Sequence, residues 1–495
     1  MSRVVVVGAG VGGLAVAARL AARGHQVTVC EQAPVVGGKL GLLEKATPQG
    51  VFRFDTGPSL LTMPWVFEDL FADTGAPMSS VLDLVPLDPI ARYRFADGTR
   101  LDSTADTEMF CARLDAALGP GAGADWRRFS QRAEQIWQAV HEPFLESTVD
   151  GIGTLARYGT RLGDVRTIAP GRSLRWLGHK YLHDQRLRTF LDRYATYTGS
   201  DPRRVPAALA VVPYVEQRFG SWYVRRGMRT LADALLDRVT SLGATVRTGV
   251  EVTAVEMFGQ RISGVRLADG GRIPADVVVA NADATQVYSD LLPQRRLARR
   301  VERAEPSLSA FVALLGVRGR TPNAAQHNVL FAPNYDAEFD AIFGVHAAPV
   351  ADPTLFVSIP DDPAVRPDGY EAWFVLVNAP RHGQGPGAID WDSPGLAQSY
   401  ADRLLGVLAR RGMAVADRLV FREILTPADL ERRTWAPGGA IYGTSSNGIR
   451  SAFLRPANRS PVDGLFLVGG SSHPGGGLPM VTLSAQIVAN LIGPA

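Results

Sequence analysis

Gly8, Gly10 and Gly13 carry the first chemistry legible in the chain. They form G-x-G-x-x-G directly after Val4-Val5-Val6-Val7 and directly before the helical pattern Leu14 to Arg23. In this arrangement Gly8 permits a tight turn, Gly10 lets a pyrophosphate approach the backbone, and Gly13 lets helix and strand pack closely. The free N–H groups of the new helix attract the phosphates. Glu31 follows at the end of the alternating stretch Gln26 to Cys30, where a carboxylate accepts a ribose 2′-OH. A glycine-rich turn with no ligand is the competing reading. Strand, loop, helix, strand and acid arriving in that order favour a dinucleotide site.

The elements that position these residues point to an α/β chain. Four consecutive valines favour a strand buried on both faces, as in a parallel sheet. After the glycine pair Gly37-Gly38 and Lys39, and the segment Phe54-Asp55-Thr56-Gly57-Pro58, residues from about 66 to 220 change to helical periodicity with few strand signals after Arg100. Leu231, Leu235, Val239 and Leu242 then mark a helix closed by Gly243. Short strands follow at Thr245 to Arg247, Val252 to Met257, Ile262 to Leu267 and Val277 to Ala280. Near the other end, Gly464 to Gly470 reads as a strand ending in glycines, Ser471 to Met480 as a loop, and Val481 to Ile492 as a helix. A second phosphate- or flavin-approaching element can thus close on the first, building one domain from both ends of the chain.

Composition narrows the function. At 495 residues the chain implies about two domains, or one nucleotide domain with large insertions. A net charge of +3 gives no global support for nucleic-acid binding. Two cysteines, Cys30 and Cys111, and no clustered histidines leave a disulfide framework and a zinc site without residues, so no metal is expected. No apolar run approaches the length of a membrane span and the first residues carry no signal-peptide pattern, which leads to the expectation of a cytoplasmic protein. Between Ile152 and Arg193, nine basic residues interleave with Leu155, Tyr158, Trp176, Leu177, Tyr181 and Phe190 against Asp164, Asp184 and Asp192. That mixture suits anionic lipid headgroups; an ordinary solvated helix face is the alternative.

Gly37-Gly38-Lys39 resembles the G-G-[RK] element of two-dinucleotide-binding flavoproteins, and Phe54 to Ser59 resembles their next flavin-approaching loop. Over nearly the whole chain the sequence resembles the carotenoid desaturase family. The resemblance rests on Arg193-Tyr194-Ala195-Thr196-Tyr197-Thr198-Gly199-Ser200-Asp201-Pro202, on Val215-Glu216-Gln217, on Leu425 to Leu430, and on Phe453-Leu454-Arg455-Pro456. Above all it rests on Val468-Gly469-Gly470-Ser471-Ser472-His473-Pro474-Gly475-Gly476-Gly477-Leu478-Pro479. Gly476 and Leu478-Pro479-Met480 look closer to members acting on hydroxylated or methoxylated carotenoids.

That resemblance implies a discontinuous Rossmann-type FAD-binding domain from residues 1–75, 221–285 and 431–495. It further implies a mixed substrate domain at 286–430 and a helical, membrane-contacting insertion at 76–220. FAD would contact Gly8, Gly10, Gly13, Glu31, Gly38, Lys39, Gly57, Val252, Gly469, Gly470, Pro479 and Met480. The substrate would be a long apolar isoprenoid, delivered from the cytoplasmic face of a membrane. His473, Glu216 and Asp201 are the candidates for taking the departing proton, and for His473 a loop residue held by backbone hydrogen bonds is the competing reading. A carotenoid isomerase, a ketolase-like oxidase, an amine-oxidase-like enzyme and a non-catalytic carotenoid binder stay open as alternatives.

Overall fold

The computed structural model describes residues 1–148, 166–448 and 455–495. The valine run has no polar side to turn toward water. The strand Arg3–Val7 accordingly lies between two parallel neighbours, Gln26–Glu31 and Val277–Ala280. Leu465–Leu467 extends the sheet beside Val277–Ala280, and Thr245–Thr248 extends it beside Gln26–Glu31. Strands from the beginning, middle and end of the chain therefore share one parallel sheet. The helix Val11–Ala22 is buried over its first ten residues and packs between this sheet, the helix Arg229–Ser241 and the final helix Leu478–Ile492.

A second sheet is mixed. Its strands run in the order Leu419–Leu425, Ser309–Arg318, Tyr370–Ala379, Leu355–Ser358, His327–Leu330, Arg92–Arg94, Arg100–Asp102. Side chains alternate faces along a strand, and the two long strands Ser309–Arg318 and Tyr370–Ala379 use both faces. Phe311, Ala313, Leu315, Trp373, Val375 and Val377 pack under the helix Leu396–Arg410 through Tyr400, Leu404 and Leu408. Ala310, Val312, Phe374 and Leu376 look the other way, into a cavity. The helices Ala122–Val140, Gln185–Asp192 and Val211–Phe219 cover that side, packed around Phe110, Trp126, Phe129 and Phe190.

Two details differ from the sequence reading. The stretch expected to be helical from 76 onward opens with strands at Leu84–Pro86, Arg92–Arg94 and Arg100–Asp102, and the last two form the edge of the mixed sheet. Three-residue strands are too short to show a period-two pattern. The final helix begins at Leu478 instead of Val481, because Pro479 sits in its first turn, where a missing N–H costs nothing.

The basic stretch between Ile152 and Arg193 falls partly on residues 149–165, outside the described residues. In the remainder, Arg175 pairs with Asp192 and Asp336, Arg186 with Asp184 and Asp97, and Arg193 is buried. A surface cluster remains: the Arg172 guanidinium lies 4.9 Å from the Trp176 ring, and the Lys180 ammonium lies 5.4 Å from Trp176 and 5.5 Å from Tyr181. No helix among the described residues is long and apolar enough to cross a membrane.

Candidate active site

The two glycine loops meet at the C-terminal edge of the parallel sheet, the end at which α/β sheets bind ligands. Glu31 ends its strand there. Its carboxylate oxygens accept the backbone N–H groups of Ala9, at 2.7 Å, and Ala33, at 2.9 Å, so the acid is fixed beside the first loop. A Cβ on Gly13 would stand 2.1 Å from the Gly8 carbonyl oxygen, which makes this the close helix–strand contact. Gly38 packs onto Gly10, where an added Cβ would lie 3.2 Å from the Gly10 Cα, and a Cβ on Gly57 would lie 1.9 Å from the Lys39 carbonyl oxygen. Asp55, two residues earlier, accepts the N–H groups of Met228 and Arg229 and so caps the helix Arg229–Ser241; burial pushes its pKa up to about 6.

Asn281, not singled out in the sequence, holds the two loops together. Added Cβ atoms on Gly10, Gly12 and Gly469 would all fall within 3 Å of its side chain, and its Nδ2 reaches the Gly8 carbonyl at 3.4 Å. Its position immediately after the buried strand Val277–Ala280, opposite a glycine fingerprint, was the available signal. Arg455 is a second such residue: its guanidinium donates to the carbonyls of Tyr442 (3.1 Å), Thr444 (2.8 Å) and Gly470 (2.5 Å), and burial lowers its pKa to about 10. Lys39 donates to the carbonyls of Ala440 (2.9 Å) and Ile441 (2.6 Å), and burial lowers its pKa to about 8 against the opposing pull of Asp283.

All of this borders one cavity of about 990 Å³. Gly8, Gly10, Glu31, Gly38, Lys39, Gly57, Val252, Gly469, Gly470, Pro479 and Met480 line it; Gly13 does not, being packed against Gly8. The same cavity continues along the sheet face of Ala310, Val312 and Phe374, and Leu60, Met63 and Val215 also line it. A polar, glycine-walled end therefore opens directly into an apolar one.

The three acid–base candidates are not brought together. Glu216 lines the cavity and is 3% exposed; it accepts the hydroxyls of Tyr194 at 2.6 Å and Tyr197 at 3.0 Å, and burial raises its pKa. Asp201 is outside the cavity lining, held by the Arg203 guanidinium in a two-pronged pair and by the Arg203 N–H. His473 is also outside the lining: its Nε2–H donates to the Ser147 carbonyl at 3.0 Å, and its ring meets Phe144 edge to face at 4.9 Å. It thereby ties the C-terminal glycine loop to the turn His141–Leu145, whose Phe144 and Leu145 do line the cavity.

Burial lowers the His473 pKa from 6.5 to about 4. A folded-state value below the unfolded one gives stability that is present above pH 6.5 and lost as pH falls through 4. For this shift the contribution is about 3 kcal/mol. His473→Gln is expected to flatten the loss of Tm between pH 6.5 and 4. Other buried groups, such as His327 with the same downward shift, stay constant in the comparison. Parallel pH profiles for variant and parent would remove this role.

The architecture is that of flavin-dependent oxidoreductases. Residues 11–493 match the model of the flavin containing amine oxidoreductase family. An oxidoreductase from Methanosarcina mazei superposes with a TM-score of 0.65 at 16% identity over 99% of this chain and 100% of its own. A putrescine oxidase does so at 0.64 and 16% over 99% and 98%. Among curated proteins, a 4,4'-diapolycopene oxygenase of Methylomonas sp is 34% identical over 99% of this chain and 98% of its own. A hydroxyneurosporene desaturase of Rubrivivax gelatinosus is 34% identical over 99% and 93%. The chain belongs to the carotenoid desaturase family within the flavin-containing amine oxidoreductases. It is an FAD-dependent oxidoreductase.

Proposed function

We propose that the protein desaturates an acyclic carotenoid, transferring hydride from substrate to FAD. The observation that carries this reading is the single cavity joining paired glycine loops to an apolar wall. The loops fit FAD: backbone without side chains for the pyrophosphate, Glu31 for the ribose, and the start of the final helix at Pro479 and Met480. In this reading residues 1–75, 221–285 and 431–495 form the discontinuous FAD-binding domain. Residues 286–430 form the substrate domain, and 76–220 close over it.

The cofactor, when bound, supplies the hydride acceptor. The chain supplies the rest. Ala310, Val312, Phe374 and Val215 hold a hydrocarbon by shape and exclude water, since such a substrate offers almost nothing to hydrogen-bond. Lys39 and Arg455 brace the segment 440–444 against the loops. Glu216 is the acid–base candidate in the cavity wall and takes the departing proton, whereas Asp201 and His473 hold structure. We further propose that Arg172, Trp176, Lys180 and Tyr181 rest on a membrane surface and collect the apolar substrate there.

The test is incubation of FAD-loaded protein with anionic liposomes containing acyclic carotenoids. Products lighter by two hydrogens, with the protein sedimenting on the vesicles, support the proposal; unchanged substrate defeats it. A second reading, oxygenation, is favoured by the similarity to the diapolycopene oxygenase, and product carrying an added oxygen would select it.

A further inference from the structure

Arg193 is 8% exposed and lines the cavity. Among the described residues its guanidinium makes one hydrogen bond, to the Tyr197 hydroxyl at 2.9 Å, and no ion pair. Lys39 and Arg455 each reach two or more carbonyls, so Arg193 differs from the other enclosed cations of the cavity. Leaving a buried cation with spare donors is costly. The rings of Tyr197, Phe356 and Tyr93, at 5.1, 5.7 and 5.8 Å, offset part of that cost and fix the group in place without using its N–H groups. Tyr197 is fixed in turn, since its O–H donates to Glu216.

We propose that the free N–H groups of Arg193 bind an oxygen function at one end of the substrate. On the carotenoid reading, on which this inference rests, that substrate is an acyclic chain with a hydroxyl, ether or carbonyl terminus. A neutral acceptor fits better than a carboxylate. Glu216 stands behind Tyr197 and would repel a second anion, and the other polar groups of the lining near the cluster, such as Thr196, Tyr335 and Tyr442, are neutral. The oxygen binds by accepting from Arg193 while its hydrocarbon chain lies along Ala310, Val312 and Leu376. The ring cage around Arg193 thus makes one end of the cavity selective for oxygen and leaves the remainder selective for length.

The test compares two probes with one carbon skeleton, an acyclic C40 carotenoid with a terminal hydroxyl and its hydrocarbon counterpart. Binding to the FAD-loaded protein is read by quenching of protein fluorescence, and turnover is read separately. The parent is expected to prefer the hydroxylated probe. Arg193→Leu is expected to weaken that probe's binding about tenfold to hundredfold while leaving hydrocarbon binding and flavin content unchanged. If Arg193→Leu does not fold, Tyr197→Phe, which keeps the ring and removes the Arg193 partner, is expected to reduce the preference several-fold. Equal binding of both probes by the parent, a preference that survives in the variants, or loss of flavin from a folded Arg193→Leu would each overturn the assignment. Preferential binding without turnover of either probe would count against desaturation alone; turnover of both without preference would count against the oxygen site alone.

Discussion

Gly10→Val is expected to purify as a folded but colourless protein. The backbone at Gly10 has φ −69° and ψ 173°, a conformation open to valine, so the substitution adds no backbone strain. The obstacle is space. On the protein side an added Cβ would lie 2.8 Å from the Asn281 side chain, which is itself wedged between the two glycine loops. The valine methyls must then spread toward the cavity, over the free N–H groups that begin the helix Val11–Ala22, where a pyrophosphate has to lie. Loss of those charged hydrogen bonds amounts to at least about 3 kcal/mol, or about a hundredfold in FAD affinity. Visible absorbance of the purified protein measures bound flavin, and a thermal melt equal to that of flavin-stripped parent shows that the fold is retained. A yellow variant with stoichiometric flavin would remove the first glycine loop from the cofactor site.

Glu216→Gln carries the other large effect. Both carboxylate oxygens accept tyrosine hydroxyls, and an amide of the same shape keeps an acceptor for Tyr194, whose bond is the shorter. The fold and the flavin site are therefore expected to persist, while the group that takes the proton is gone. Turnover should fall by about 10²- to 10⁴-fold. Because burial raises the Glu216 pKa and a base acts when ionised, the parent's activity should rise with pH through a value above the ordinary glutamate range, and this limb should vanish in the variant. Retained turnover with retained flavin would show that Glu216 holds the tyrosine pair and nothing more.

Much of the fold is legible where one local rule governs it. Val4–Val7 could only be a doubly buried strand, and Val277 to Ala280 was bounded correctly for the same reason. The first glycine loop was visible through its G-x-G-x-x-G spacing between strand and helix, and the second because strand, glycines and helix recur in the same order. What stayed hidden depends on distant partners. Arg92–Arg94 is a strand because His327–Leu330 offers it an edge, and nothing within three residues records that. Asn281 acquires its role from glycines at both ends of the chain. His473 stands out in its loop, yet its ring turns toward Ser147 and Phe144, a direction set by packing from the other end of the molecule. Within the basic stretch, Arg175 is taken up by Asp336, a partner far along the chain that no local pattern announces. Arg193 seemed one more surface charge among nine and is instead enclosed in the cavity wall.

The most direct test of the account is the mass of the product. Purified FAD-loaded protein, given an acyclic carotenoid in liposomes with an electron acceptor, is expected to yield a compound two hydrogens lighter with its absorption shifted to longer wavelength, in step with flavin reduction. A product of unchanged mass, or one heavier by an oxygen, would contradict desaturation as the function of this cavity.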